Sequence, residues 1–115
     1  MRSILPAAVI AIAFATPAQA DFTGNTLKDA CDSPSQTAGS GMCFGYIAGT
    51  LDSFREINRL RLEKPWFCEP PDVTGEQIVA MVRKFLADHP EKLHLQAASL
   101  ISAMMANTFP CPAKP

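Results

Sequence analysis

Residues 43–54 read CFGYIAGTLDSF, a string that suits three different structures. A cysteine opens it, Gly45 and Gly49 stand four apart, and Asp52 lies among apolar residues. It fits a catalytic cysteine, a membrane-dimerising helix, or the stapled start of a helix in a small soluble domain. The flanking sequence decides for the last. Phe44, Ile47, Leu51, Phe54 and Ile57 recur at spacings of three and four, which places them on one helical face. Asp52, Glu56, Arg59 and Glu63 keep similar spacing on another face. The pattern predicts an amphipathic helix from about Met42 to about Glu63, roughly 22 residues and about 33 Å long. Charges so soon after Gly49 exclude a lipid span, so Gly45-x-x-x-Gly49 is not a transmembrane dimer motif. Each glycine costs a helix about 1 kcal/mol relative to alanine. Close approach of another helix compensates, so Gly45 and Gly49 read as packing positions. Cys43 as a nucleophile would need a base in hydrogen-bond reach and a reducing environment. His89 and His94 lie far along the chain.

Upstream, residues 1–20 read as a cleaved secretory signal peptide. Arg2 supplies a positive start, Ile4 to Ala15 is an apolar run, and Ala18-Gln19-Ala20 matches a small-x-small cleavage site before Asp21. The run is shorter than the roughly 20 residues that span a bilayer. The mature domain is then 21–115. Removing Arg2 leaves nine Lys and Arg against eleven Asp and Glu, without a basic block. Nucleic acid and anionic membrane are therefore not expected partners. A single domain this small buries roughly 65% of its unfolded surface, so staples would help it. Cys31, Cys43, Cys68 and Cys111 supply them: an even count in a small exported chain reads as two disulfides. Zinc would need close pairs such as C-x-x-C, whereas the spacings here are 12, 25 and 43. No metal or cofactor is expected.

The remaining segments extend an all-α pattern. GNTLKDAC (24–31) predicts a short first helix, capped by Asn25 or Thr26, with Leu27 and Ala30 inward. DSPSQTAGSG (32–41) reads as a loop. KPWFCEPPDV (64–73) holds three prolines and cannot be helical. Thr74 and Gln77 have capping-box spacing, and Glu76 suits a helix start. Ile78, Met81, Val82 and Phe85 make that helix's stripe, and Pro90 ends or turns it. The last helix is expected near 93–108, burying Leu93, Ala97, Leu100, Ile101 and Met104. With short connections, the second, third and fourth helices run up, down and up. Cys31 and Cys43 then flank one loop at the bottom, and Cys68 and Cys111 meet at the top. This order favours the pairs Cys31–Cys43 and Cys68–Cys111 among three possible pairings. The fold expected is a small four-helix, disulfide-stapled domain.

Several segments in register resemble the Rap/Tai immunity proteins of type VI secretion systems. They are C-x-G-Y-I-x-G (43–49), C-x-P-x-x-V-T-x-x-Q (68–77), H-P-E (89–91) and the closing F-P-C (109–111). The resemblance covers about 24–111. It implies a disulfide-bonded, all-α periplasmic homodimer that binds a cognate secreted peptidoglycan amidase, occludes its active-site cleft and so protects the producing cell. It implies an inhibitor and not an enzyme. The matched residues read as scaffold: the four cysteines, Gly45, Gly49 and the Thr74–Gln77 cap. Binding contacts should sit on exposed loops, and 64–72 is the favoured loop, with Lys64, Trp66, Phe67, Glu69 and Asp72 as candidates. Trp66 is the only tryptophan. A tryptophan on a proline-stiffened loop suits a binding anchor. The plainer alternative is that Trp66 or Phe67 covers the core beside Cys68. His89 and His94 admit a pH-sensing role, or the plainer one of helix-end and solvent-facing residues.

Two rival functions differ in class. A periplasmic holdase, like the small helical acid-stress chaperones, would share the size and the staple. The modest charge and two histidines give little reason for an acid switch. An enzyme would need paired carboxylates, a nucleophile elbow, a metal cluster or a phosphate loop, and none can be placed on the sequence.

Overall fold

A computed structural model describes residues 21–61 and 64–113. The signal-peptide assignment and the expected end of the second helix at Glu63 lie outside the described residues. Four helices follow one another: α1 (Gly24–Cys31), α2 (Ala38–Leu60), α3 (Gly75–Asp88) and α4 (Ala97–Thr108), with a short 3-10 turn over Pro90–Lys92 between the last two. Among the described residues the β pairing is one isolated bridge, Thr23 with Gln96. The domain is all-α.

Helix starts follow local chemistry. Thr23, not Asn25 or Thr26, caps α1 by accepting a hydrogen bond from the Thr26 N–H. The first two donors need no side-chain cap: Gly24 N–H donates to the Leu95 carbonyl and Asn25 N–H to that of Leu93, both at 2.9 Å. Here α1 touches the start of α4 closely. A Cβ at Gly24 would sit 2.6 Å from Leu100 Cδ1 and 3.0 Å from Leu93 Cα. Helix α2 begins four residues earlier than its periodicity suggested, because Thr37 and Ser40 form a reciprocal capping box inside the supposed loop. The Thr74–Gln77 box starts α3 as expected. Helix α4 starts later than 93, since the Pro90 turn and the Thr23 bridge hold the chain until Gln96.

The core joins all four helices. Leu27, Ile47, Leu51, Ile78, Val82, Leu86, Ile101 and Met105 are its largest fully buried side chains. Phe44 and Ile57, expected inside, are exposed. At 3.6 residues per turn the five apolar residues of α2 span an arc of about 140°, too wide for one small core to cover. Cys43, Ile47 and Leu51 hold its centre. The packing role expected of Gly45 and Gly49 is corrected as well. Both are exposed, and a Cβ on either would meet nothing within 4 Å. The close approach in this fold is at Gly24.

Disulfides join Cys31 to Cys43 and Cys68 to Cys111, as the helix order favours. The first is buried in the core between α1 and α2. The second, half-buried, ties the 64–73 loop to the segment after α4.

Candidate partner-binding surface

The 64–73 loop has no helix or strand of its own, so its shape depends on side chains that reach it. Asn58, on the last turn of α2, holds it with both ends of its amide. Its Oδ1 accepts from the Trp66 N–H at 2.8 Å, and its Nδ2 donates to the Phe67 carbonyl at 3.0 Å. Arg55, one turn earlier, grips Glu69 in a two-pronged pair: Nε to Oε2 at 2.9 Å and Nη2 to Oε1 at 2.7 Å. The hydrogen bonds to Glu69 hold the Arg55 guanidinium above its ordinary pKa against some desolvation. Cys68 adds its disulfide and an N–H donated to the Phe109 carbonyl at 2.8 Å.

These clamps sort the candidate residues. Phe67 is 4% exposed and belongs to the core, so it is not available to a partner. Trp66, its neighbour at a bend of the chain, is 47% exposed. The Glu69 side chain is only 13% exposed and is taken up by Arg55. Lys64 and Asp72 are exposed. Trp66 leans on Phe54 with ring centroids 5.9 Å apart, and the Arg61 guanidinium lies 5.9 Å from its ring centre.

Two clefts share Trp66 as a wall. One, of about 370 Å³, lies between Phe54 and Trp66 over a floor of Ala98, Ser99, Ser102 and Ala103 from α4. The other, of about 490 Å³, runs from Lys64 and Pro65 past Ala106 to Pro110 and Pro112. Together the clefts offer apolar walls, a hydroxyl-bearing floor and a cationic edge. Among the described residues no group of three or more His, Cys, Asp or Glu is placed to hold a metal. No helix there is long and apolar enough to cross a membrane.

His89 caps the end of α3, with Nδ1 3.0 Å from Glu91 Oε1 and its ring tilted against Phe85 at a centroid distance of 4.5 Å. That hydrogen bond lowers the Glu91 pKa. His94 is exposed. Asn58 and Arg61 were not legible as site residues in the sequence. Both lie at the end of an amphipathic helix, where polar residues are ordinary.

A family model described as Rap1a immunity proteins matches residues 23–111. No curated protein matches the chain.

Proposed function

This chain belongs to the Rap1a immunity protein family, and on that premise we propose that it is a periplasmic immunity protein that binds a type VI secreted peptidoglycan amidase. It covers the amidase's active-site cleft and protects the cell that makes it. It acts by binding and not by catalysis. The family match carries this reading. Two disulfides suit an oxidising compartment such as the periplasm, which residues 1–20 would direct the chain to reach.

The surface around Trp66 is the contact we assign to the amidase. A half-exposed tryptophan on a clamped, proline-rich loop loses little conformational freedom on binding. Lys64 and Asp72 flank it. The working unit is a homodimer. Its support is a strip along α2 formed by Met42, Tyr46, Gly49, Ser53, Ile57 and Leu60, which recur at spacings of three and four without a charge. Met42, Ile57 and Leu60 are exposed.

The test is affinity capture with the oxidised mature chain, from secreted and periplasmic extracts of its host. One dominant cell-wall hydrolase, held through a high-salt wash and inhibited at a fixed molar ratio, is the expected result. Many weak clients that increase at acid pH would instead indicate a holdase. Sedimentation tests the dimer: Ile57→Glu should dissociate it, and a wild-type chain that is monomeric at all concentrations would count against it.

A further inference from the structure

The two clefts share Trp66, and their floor residues follow one another along α4. Ala98, Ser102 and Ala106 recur every four residues, and Ser99 and Ala103 lie beside them, so the floor is shallow and side-chain-poor. Ser102 is an exception within it. It is only 8% exposed and no side-chain hydrogen bond within the described residues engages its hydroxyl. Since no fully buried side-chain oxygen or nitrogen there lacks a partner, what accessibility the hydroxyl has is toward the cleft it lines. Its hydroxyl can hydrogen-bond with what the groove holds.

Among the described residues that line the groove or lie over Trp66, the charged groups are cationic. Lys64 lines it, and Arg61 lies over the Trp66 ring. Among the described residues lining either cleft there is no carboxylate. The nearby Glu69 carboxylate is neutralised by Arg55. A chain whose formal net charge is −1 thus presents a cationic edge to its apolar groove. Opposite charge on a partner steers encounter and fixes register more than it adds affinity.

We propose that this groove receives a segment of the partner in which an apolar side chain is flanked by carboxylates. The apolar side chain packs against Trp66 and Phe54, the carboxylates face Arg61 and Lys64, and Ser102 donates to a backbone or side-chain oxygen of the segment. The assignment rests on the reading of this chain as an effector-binding protein and specifies the chemistry of the bound surface.

Trp66 is the only tryptophan, so its fluorescence reports on the groove directly. The oxidised mature chain is titrated with the end-blocked tetrapeptide ELLE and with its basic counterpart KLLK. The expected result is a saturable change in emission with ELLE at about tenfold lower concentration than with KLLK, as two exposed charge pairs allow. The Arg61→Glu/Lys64→Glu double variant should reverse that order. Ala103→Leu, on the exposed floor, should abolish the response at unchanged melting temperature. Equal responses to both peptides, no response to either, or an order unaffected by the double variant would overturn the proposal. The two readings fail separately. Undiminished inhibition of a captured amidase by the double variant would remove the groove and leave the immunity reading. The expected peptide order with no amidase inhibited would do the reverse.

Discussion

Asn58 holds the 64–73 loop in shape although it is not part of it. Its amide replaces the backbone partners that a strand would have given to Trp66 and Phe67. Removing it leaves a part-buried carbonyl and an N–H without partners, which costs about 1–3 kcal/mol. Asn58→Ala should therefore lower stability by that amount in urea unfolding and shift Trp66 emission toward that of a solvated indole. Asn58→Asp keeps the acceptor for Trp66 but sets a carboxylate oxygen against the Phe67 carbonyl, so it should not restore the lost stability. Side by side, Trp66 and Phe67 separate binding from stability. Phe67→Ala empties a core site and should cost about 3–5 kcal/mol. Trp66→Ala removes a half-exposed ring and should leave melting near native while weakening capture of the amidase by over about 2 kcal/mol. A large loss of stability from Trp66→Ala with unchanged affinity would make Trp66 a lid on the core instead.

At the scale of the helix, the glycines of α2 give the sharpest expectation. Gly45 faces open space, so a methyl there meets nothing and the helix gains propensity. Gly45→Ala should stabilise the chain by about 0.5–1 kcal/mol. Gly24→Ala should destabilise it, since the new Cβ would collide with Leu100 and the Leu93 backbone. Thermal melts of the two variants should move in opposite directions. The same contrast shows what the sequence carries. Apolar periodicity marks α2 and α3, and the Thr74–Gln77 box fixes where α3 starts. These are local signals. The Thr37–Ser40 box is local too, but serine stands where Glu or Gln is usual, within a Ser- and Gly-rich stretch that reads as loop. Gly24 is important only because α4 returns against it, and a long-range approach leaves no mark on its neighbours. The Gly45–Gly49 spacing misleads for the same reason, because spacing does not say whether a partner helix arrives. The loop with the only tryptophan was legible, and its inward neighbour was not separated from it. In a loop without strand or helix periodicity, nothing local says which of two adjacent aromatic residues faces out. The core contacts that choose between them come from elsewhere in the fold.

For the whole molecule, charge and covalent ties set how it responds to its surroundings. Glu56 and Glu91 have lowered pKa values, because their carboxylates accept hydrogen bonds from Arg59 and His89 respectively. A lowered carboxylate contributes stability above its unfolded pKa and loses it as pH falls through the folded one. Both groups lie on the surface, so their loss below roughly pH 4.5 should be slight. These carboxylates therefore give no acid-triggered opening at roughly pH 5–7, in contrast to what a holdase needs, and urea midpoints should show none. Redox conditions act more strongly. The Cys31–Cys43 bond is buried within the core, whereas Cys68–Cys111 is half-buried and Cys111 lines the groove beside Trp66. A reductant should reach Cys68–Cys111 first. That bond closes a sequence separation of 43 against 12 for the other, worth about 4 and about 3 kcal/mol by chain entropy. Each is comparable with much of a small domain's net stability of about 5–10 kcal/mol. Stepwise reduction with alkylation and mass mapping should therefore find Cys68 and Cys111 modified first. At that stage helical circular dichroism should be largely retained, Trp66 emission changed and amidase binding weakened, because the loop has lost its tie to the segment after α4. Only opening of Cys31–Cys43 should then unfold α1 from α2. Simultaneous modification of all four cysteines would mean that the loop and the core open as one unit, and that the binding surface is no less stable than the fold that carries it.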